Sequence, residues 1–363
     1  MTVHVTLVSG IDPTAPRPGG TRSYVLGLAE RLVRRNVSVA LVARNGTALP
    51  FDGAEYVRIR SGPSSVRFLL RLIASAPSLP IPRGSSIPVQ RPDDLVAFAL
   101  AQRGNPKVCT LHGIPALGVR RRKGPSYGAL YRALERIGLR RTDRVIAVDP
   151  GTARWYADRY PRLAGRIDVV PVAVDTERFR PTDRGAARAR FGIAAKHAVA
   201  FAGRLTVEKR VEALIRAIRD VPDVELLVAG EGPEEPRLRT LARNAPVRFL
   251  GPIPHEEMPL LLRAADIVAL PSEFEGMPTI AIEALACGTP VVATRVGGLP
   301  ELIVPGETGW LVEDVAAIPQ VLRDGLPLAG AMEASCVVAA RAYSWDSVVE
   351  RILAVYRLAE ADT

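Results

Sequence analysis

The stretch Glu275-Gly-Met-Pro-Thr-Ile-Ala-Ile-Glu283, continued to residue 293 by Ala-Leu-Ala-Cys-Gly-Thr-Pro-Val-Val-Ala, predicts a helix followed by a buried strand. Pro278 is typical of a helix start, and Gly288 of the residue just past a helix end. Glu275 then lies in the loop before the helix, and Glu283 on about its second turn. Because a helix N-terminus offers free N–H groups to an anionic phosphate, the two carboxylates are placed to bind hydroxyl groups on both sides of a diphosphate. A capped helix with two unrelated acids is the alternative.

Length and composition favour a two-domain α/β protein from a reducing compartment. The chain has 363 residues, which is long for a single core. No stretch approaches the ~18 apolar residues that a membrane helix requires. The start, Met-Thr-Val-His-Val-Thr-Leu-Val-Ser-Gly, is typical of a buried strand rather than of a signal peptide. The three cysteines, Cys109, Cys287 and Cys336, are far apart and lack metal-ligand spacing, so we expect small buried thiols in a cytoplasmic protein.

The positive charge is concentrated in the first half of the chain. The net charge is +10, and residues 1–175 carry 27 Lys and Arg against 12 Asp and Glu, whereas residues 176–363 carry 21 against 26. A basic half favours an anionic partner, such as nucleic acid, an anionic membrane surface or a phosphorylated lipid. A generally arginine-rich composition without a binding role is the alternative.

Short apolar strands alternate with helical patterns in two series along the chain. This alternation predicts two doubly wound parallel sheets of the Rossmann type, with a boundary near 172–182 between Pro171 and Pro181. Ligands of such sheets bind beyond the carboxyl ends of the strands, so the loops would converge on a cleft if the two domains face one another. Strands are predicted at 3–9, 37–43, 55–60, 86–90, 107–111, 144–148 and 166–171, then at 198–202, 224–229, 247–250, 266–270 and 290–293.

Two glycine-containing loops follow strands of the second series. Gly203-Arg204-Leu-Thr-Val-Glu-Lys209 leads from a strand into a helix. Arg204 can bind a diphosphate through its guanidinium fork and Lys209 as a compact charge, although a solvated basic helix start is the alternative. Gly230-Glu-Gly232 lacks the rest of a G-x-G-x-x-G fingerprint, so we expect it to pack the loop rather than to bind a dinucleotide.

The first series carries a flexible loop and a histidine at strand ends. Pro18-Gly19-Gly20-Thr21 lets a ligand approach the backbone closely, or it serves only as a helix-entry loop. His112 directly follows a predicted strand, and this position favours a role in binding over a purely structural one. The sequence contains no Asp-x-Asp triplet, so we expect Arg, Lys and a helix dipole, rather than a metal, to balance the charge of a diphosphate.

Together these motifs resemble a known family. Gly203-Arg204…Lys209, Glu275-x7-Glu283, Gly297-Gly298-Leu-Pro-Glu301 and Gly306-Glu-Thr-Gly309 match, in order and spacing, family 4 of the retaining glycosyltransferases. The resemblance is strong over 195–312 and looser over 1–170. It implies the α/β fold called GT-B, two Rossmann-like domains facing across a cleft. Residues 1–172 would form the acceptor-side domain, joined by a closing helix over 345–363, and residues 173–344 the nucleotide-sugar domain.

The resemblance also implies roles for matching positions. Arg204 and Lys209 would bind the donor diphosphate, Glu283 the ribose hydroxyls, and Glu275 and His112 the donor sugar, which makes Glu275, His112, Arg204 and Lys209 the residues important for catalysis. Attack would occur on the front face with help from the leaving phosphate, and no protein base is assigned. The donor-binding set implied is Gly19, Gly20, Gly203, Arg204, Lys209, Leu250, Gly251, Glu275, Gly276, Met277, Pro278 and Glu283.

The activity implied is that of a hexosyltransferase without cofactor or metal. It would move a mannose, glucose or N-acetylglucosamine type of sugar from a nucleotide-sugar to a lipid-linked or glycan acceptor. One alternative is an isomerase or phosphorylase on the same scaffold. Another is a basic, non-catalytic protein that binds nucleic acid or lipid, but sparse aromatic residues argue against nucleic acid. Many members of the family have Ser where this chain has Asp149, and this departure leaves acceptor recognition open.

A basic amphipathic segment predicts contact with a membrane surface. Residues 64–74, Ser-Ser-Val-Arg-Phe-Leu-Leu-Arg-Leu-Ile-Ala, combine apolar bulk with Arg67 and Arg71. The run Arg-Arg-Arg-Lys over 120–123 is expected in a loop, ahead of apolar residues at helical spacing over 127–134. We expect this face to bind anionic lipid on the inner side of the plasma membrane. The alternative is a helix with its apolar side buried and its arginines solvated.

Overall fold

The computed structural model divides the chain into two compact units. Unit 1 comprises Met1–Ala173 with Trp345–Thr363, and unit 2 comprises Val174–Ser344. The structure describes residues 4–15, 20–99 and 101–362, apart from the side chains of 121–123. The division falls next to the predicted domain boundary, and the expectation that the two domains face across a cleft stays a prediction.

Unit 1 contains a parallel sheet with helices along its connections. The strands are β1 (His4–Ser9), β2 (Ser38–Arg44), β3 (Ala54–Ile59), β4 (Ile87–Val89), β5 (Lys107–Leu111), β6 (Arg144–Ala147) and β7 (Ile167–Val169). They lie in the order β3-β2-β1-β4-β5-β6-β7. The helices are α1 (Gly20–Arg34), α2 (Ser65–Ser75), α3 (Pro115–Lys123), α4 (Pro125–Leu139) and α5 (Pro150–Arg159).

The centre of this sheet is apolar because helices cover a doubly wound sheet on both faces. Val8 of β1 lies beside Val42 of β2 and Val89 of β4. All three are buried in one core with Phe68 from α2. The position of β1 inside the sheet explains why its residues from Val5 to Ser9 are buried.

Unit 2 repeats the arrangement with a second parallel sheet. Its strands are β8 (His197–Ala202), β9 (Val224–Ala229), β10 (Val247–Gly251), β11 (Ile267–Leu270), β12 (Val291–Thr294) and β13 (Gly309–Val312). They lie in the order β10-β9-β8-β11-β12-β13. The helices are α6 (Arg184–Arg190), α7 (Val211–Ala217), α8 (Glu235–Leu241), α9 (Met258–Ala264), α10 (Thr279–Ala286), α11 (Leu299–Leu302), α12 (Ile318–Gly325) and α13 (Glu333–Ala340). The two doubly wound sheets predicted from the sequence are thus confirmed.

The closing helix α14 (Trp345–Ala361) belongs to unit 1. Trp345 packs against α1 where Gly27 leaves room, since a Cβ there would lie 2.5 Å from the indole ring. Further along α14, the Arg351 guanidinium donates to the carbonyl oxygen of Val169 over 2.6 Å. The chain therefore returns to its first sheet after completing the second.

The structure corrects the sequence-based assignment of the basic run 120–123, which is helical. This run ends α3, and the prediction of a loop was wrong. Pro115 starts the helix, the basic residues are good helix formers, and Gly124 at φ +89° ends it. Because α3 has no apolar stripe, the period-based pattern did not reveal it. Strand β13, at the edge of the sheet, was also not predicted, because it begins at Gly309 inside the motif Gly306-Glu-Thr-Gly309, which was interpreted as a motif rather than as a strand start.

Asp149 has a structural explanation as a helix cap. Its Oδ1 accepts from the backbone N–H of Thr152 over 2.7 Å, and its Oδ2 accepts from the hydroxyl of the same residue over 2.6 Å. It thereby caps the N-terminus of α5. Ser fills the same capping role in proteins generally, so replacing Ser by Asp at this position preserves the helix start.

Glycines allow the loops at the carboxyl edge of the unit 2 sheet to pack backbone against backbone. Gly230 has φ +125°, and a Cβ there would lie 1.9 Å from the carbonyl oxygen of Gly203. A Cβ on Gly232 would lie 2.2 Å from the carbonyl oxygen of Leu205. The packing role expected for Gly230-Glu-Gly232 is confirmed, because these glycines hold the loop that follows β8.

Replacing Gly230 by Ala is therefore expected to destabilise the protein. The added methyl group meets a carbonyl oxygen and the backbone angle is unfavourable for any other residue, so we expect a loss of more than about 2 kcal/mol. The measurement is urea unfolding followed by circular dichroism. Gly330→Ala is the control, since a Cβ at Gly330 meets nothing within 4 Å. Equal stability of the two variants would contradict the packing role.

Candidate functional site

The loops that follow β8, β11 and β12 meet at the carboxyl edge of the unit 2 sheet. The backbone N–H of Glu273, after β11, donates to the carbonyl oxygen of Glu208, after β8, over 2.8 Å. The N–H of Gly298, after β12, donates to the carbonyl oxygen of Gly276 over 2.8 Å. These backbone bonds bring together three segments that are distant in sequence.

Lys209 and Glu275 form an ion pair at this edge. Lys209 Nζ lies 2.5 Å from Glu275 Oε1, and the hydroxyl of Ser272 donates to the same oxygen over 2.6 Å. The Lys209 side chain is 23% exposed and that of Glu275 is 10% exposed. Ser272 is fully buried. The two residues that were expected to bind the donor diphosphate and the donor sugar are therefore in direct contact, and Ser272 orients the carboxylate.

Helix α10 begins and ends where the sequence indicated. Pro278 is its N-cap, and it forms no side-chain capping hydrogen bond. Gly288 at φ +78° follows its end. Met277, just before the helix, is buried. The N–H of Ala281 donates to the carbonyl oxygen of Pro278, which leaves the N–H groups of Thr279 and Ile280 for an anion.

Glu283 is a buried acid on the second turn of α10. It is 9% exposed, and burial raises its pKa to about 7, opposed only in part by the hydrogen bond from Thr279 and the positive charge of Arg178. Hydroxyl groups that donate to the carboxylate would favour its charged form. A carboxylate that titrates near neutral pH at a strand edge is typical of a functional site.

Arg204 extends into solvent from the loop after β8. Its side chain is exposed and makes no hydrogen bond or ion pair with a residue that the structure describes. Arg204 and Lys209 both act electrostatically on Glu208. The preceding Gly203 is fixed by a 3.0 Å hydrogen bond from its N–H to the carbonyl oxygen of Ala229. Arg204 is thus a cation on a well-anchored loop.

Leu250 and Gly251 lie at the end of β10, on the same edge. The carbonyl oxygen of Gly251 accepts from the N–H of Gly230 over 2.7 Å. Gly251 has φ +70° and open space where a Cβ would stand. The backbone here is therefore accessible, as the role beside a nucleobase requires.

The remaining candidate residues belong to unit 1. His112 follows β5, and its Nε2 lies 2.9 Å from Gln90 Oε1. Burial lowers the pKa of His112 to about 4. Gly20 is the first residue of α1, whereas Gly19 lies outside the described residues. The structure thus gathers the unit 2 candidates along one sheet edge, and the roles of all these residues stay predictions.

Three residues at these edges escaped the sequence analysis. Ser272 lies two residues after the end of β11 and Gln90 directly follows β4, so their positions after strands were the available signal. Asp94, a few residues beyond Gln90, is buried, and its Oδ2 makes no hydrogen bond with a described residue. Burial and the neighbouring Asp93 raise its pKa to about 7. No motif marked these side chains, because their meaning depends on contacts with distant residues.

Within the described part of the chain, no group of three or more His, Cys, Asp or Glu residues is arranged to hold a metal ion. None of the helices described there has the length and apolar content needed to span a bilayer.

Both units match family profiles of glycosyltransferases. Residues 196–326 match a family described as glycosyl transferases group 1, and residues 18–178 match one described as glycosyltransferase family 4. The two matches lie in different units and together span most of the chain.

Curated relatives carry the name D-inositol 3-phosphate glycosyltransferase. The protein from Mycolicibacterium paratuberculosis is 40% identical over 234 residues, which cover 60% of this chain and 53% of that protein. The protein from Mycobacterium tuberculosis (strain H37Ra) is 38% identical over 235 residues, covering 60% and 49%. The chain spans about half the length of the curated relatives it matches.

Solved structures share the GT-B fold. Sucrose-phosphate synthase from Thermosynechococcus elongatus matches with a TM-score of 0.87 at 24% identity, covering 99% of this chain and 100% of that chain. HepE from Anabaena in complex with UDP-glucose matches with a TM-score of 0.77 at 19% identity, covering 98% and 99%. At these identities the likeness concerns the fold alone.

Replacing Glu283 by Gln is expected to stabilise the protein at alkaline pH. The pKa of Glu283 is raised from 4.5 to about 7, so the folded state holds the proton more tightly, and this stabilisation is lost as pH rises through about 7. Gln mimics the protonated acid, so the variant should exceed the wild type by about 3 kcal/mol at pH 8, with the difference shrinking as pH falls from about 7 and vanishing only below about pH 4.5. Urea unfolding across this range measures it.

Glu256→Gln serves as the control, because Glu256 is an exposed glutamate of the same unit. A Glu283→Gln protein less stable than the wild type at pH 8 would contradict the buried, high-pKa acid.

Proposed function

The chain belongs to glycosyltransferase family 4, and from this premise we propose that it transfers a hexosyl group from a nucleoside-diphosphate sugar to an acceptor hydroxyl, with retention of the anomeric configuration. The observation that carries the proposal is the contact between Lys209 and Glu275 beside the open N-terminus of α10. A cation, a carboxylate and free amides in one place suit a ligand that combines a diphosphate with hydroxyl groups.

Each candidate residue at the carboxyl edge of the unit 2 sheet has a proposed binding partner on the donor. Arg204 and Lys209 bind oxygens of the diphosphate, and Lys209 exchanges the Glu275 carboxylate for phosphate when the donor binds. Glu275, released from Lys209 and still held by Ser272, accepts from hydroxyls of the sugar. Glu283 accepts from the ribose hydroxyls, and the backbone at Leu250 and Gly251 lies beside the base.

We propose that the reaction proceeds on the front face of the sugar and needs no metal. The developing charge on the leaving diphosphate is balanced by Arg204, Lys209 and the N-terminus of α10, which are fixed before the reaction begins. The leaving phosphate oxygen takes the proton of the acceptor hydroxyl, so no carboxylate of the protein acts as the base. Activity in excess EDTA is the corresponding expectation.

The names of relatives suggest the first substrates to test. The curated relatives are named for action on D-inositol 3-phosphate, which supports a phosphorylated polyol as acceptor. HepE was solved with UDP-glucose, which supports a UDP-sugar as donor. Donors with mannose, glucose or N-acetylglucosamine and a lipid-linked acceptor complete the panel.

Substitution of Lys209 tests the donor site. Lys209→Ala removes one of two cations at the diphosphate, so nucleoside-diphosphate release in the presence of donor and acceptor should fall at least 100-fold. Lys196→Ala is the matched control, because Lys196 is an exposed lysine of the same unit and should retain full activity. Near-normal turnover of Lys209→Ala, with a wild-type unfolding curve, would contradict the assignment.

We further propose that unit 1 docks on anionic lipid at the inner membrane face, through α2. Phe68, Leu69 and Leu72 of α2 are buried, whereas Val66 is 60% exposed and Leu70 is 61% exposed. Arg67 and Arg71 are exposed beside them. The helix therefore buries one apolar side and presents apolar bulk with cations on the other, a pattern that favours an anionic bilayer surface.

Vesicle sedimentation tests the docking surface. Val66→Asp should reduce binding to vesicles of anionic phospholipid several-fold, because it adds a like charge to the lipid and removes apolar area. Val338→Asp is the matched control, since Val338 is also 60% exposed but lies in unit 2. Equal binding of both variants, or equal binding to neutral and anionic vesicles, would contradict the proposal.

A further inference from the structure

Gln90 is a buried polar residue of unit 1 to which the proposed function assigns no role. It directly follows β4 and is 3% exposed. Its backbone N–H donates to the carbonyl oxygen of Val8 over 3.2 Å, which anchors the residue to β1 at the centre of the sheet. Its side-chain Oε1 lies 2.9 Å from Nε2 of His112. The Gln90 amide thus links the end of β4 to His112 at the end of the neighbouring strand β5.

The imidazole of His112 has uncharged neighbours. The ring of Tyr24 from α1 meets it edge-on at 4.9 Å between centroids, and Trp345 from α14 lies 5.7 Å from Tyr24. The titratable group facing it from α1 is therefore the Tyr24 phenol, whose pKa burial raises further. Burial is the cause that lowers the pKa of His112 to about 4. The ring is consequently neutral throughout the physiological range.

A neutral imidazole carries its proton on one nitrogen, and the partner of the other nitrogen decides which. With Gln90 Oε1 accepting from Nε2–H, the proton resides on Nε2. Nδ1 makes no hydrogen bond with a residue that the structure describes. It is left as an acceptor for a hydroxyl group.

We propose that Gln90 is a positioning residue that fixes the ring of His112 as the Nε2–H tautomer, so that Nδ1 accepts a hydrogen bond from a substrate hydroxyl. This inference rests on the proposed function and on the expectation, implied by the family resemblance, that His112 contacts the donor sugar. It adds to that contact a residue outside the family motifs, and it states the direction of the hydrogen bond, in which the substrate hydroxyl donates and Nδ1 accepts.

The choice of an amide at position 90 has a physical consequence. An amide oxygen accepts from Nε2 without adding a negative charge, so it orients the ring and leaves it neutral. A carboxylate at the same place would favour the imidazolium form, which has no acceptor nitrogen. Gln90→Glu should therefore convert the acceptor into a donor while changing few atoms.

Histidine NMR on the full-length protein tests the tautomer directly. With ¹⁵N- and ¹³C-labelled histidine, the His112 signals are assigned by their loss in His112→Asn, which is feasible because the chain has 4 histidines. The wild type should show Nε2 protonated and Nδ1 bare, with no titration between pH 5.5 and 8. In Gln90→Glu the His112 pKa should rise by more than one unit. An Nδ1–H tautomer in the wild type, which a reversed Gln90 amide would produce, would overturn the inference even if the Gln90 variants did not fold.

Kinetics provide the functional readout. Gln90→Met, close in size to Gln but with a weakly accepting thioether in place of the amide oxygen, should lower kcat/KM at least tenfold, and should have no further effect in a His112→Ala background. Additive losses in the double variant would also overturn the inference. The NMR result needs no substrate and is therefore independent of the transferase assay. If the protein shows the expected tautomer but no transferase activity, the proposed function is refuted and the Gln90–His112 hydrogen bond is still supported. Profiles of activity against pH alone are unsuitable, since Glu283 and Asp94 also have pKa values raised to about 7.

Discussion

The contact between Lys209 and Glu275 is the interaction on which the candidate site depends. It joins two loops whose charged residues are 66 positions apart, and each charge reduces the penalty for partly burying the other. Removing either partner would leave an uncompensated charge in a partly buried place. A ligand that supplies phosphate to Lys209 and hydroxyl groups to Glu275 replaces this contact with two others. The Lys209–Glu275 pair therefore suits a ligand that carries both phosphate and hydroxyl groups.

Backbone packing makes that contact possible. Gly230 lies against Gly203 closely enough to exclude a side chain, and a Cβ on Gly297 would lie 2.3 Å from the carbonyl oxygen of Gly276. Such approaches fix the loops before any ligand arrives, so little reorganisation is needed when charge develops on a leaving group. The glycines thus allow the loops to pack closely, while the cations and acids of the same loops are the groups proposed to bind the ligand.

Local signals in the sequence predicted those parts of the structure that local interactions decide. Pro278 and Gly288 mark the start and end of α10, because each restricts or frees its own backbone. The alternation of strands with helices predicted both sheets. Helix α3 was not predicted because it lacks an apolar stripe, and strand β13 was not predicted because it begins inside a glycine motif. Ser272 and Gln90 escaped for a different reason: each acquires its role from a residue on another strand or loop. Motif spacing indicated Lys209 and Glu275 separately, but only the structure shows that they touch.

A structure of the protein with a bound nucleoside diphosphate tests the central claim most directly. The account predicts that the Lys209–Glu275 contact opens, that Lys209 Nζ and the Arg204 guanidinium contact phosphate oxygens, and that Glu283 accepts from the ribose hydroxyls. A nucleotide bound away from the carboxyl edge of the unit 2 sheet, or bound there with the Lys209–Glu275 contact intact, would contradict it.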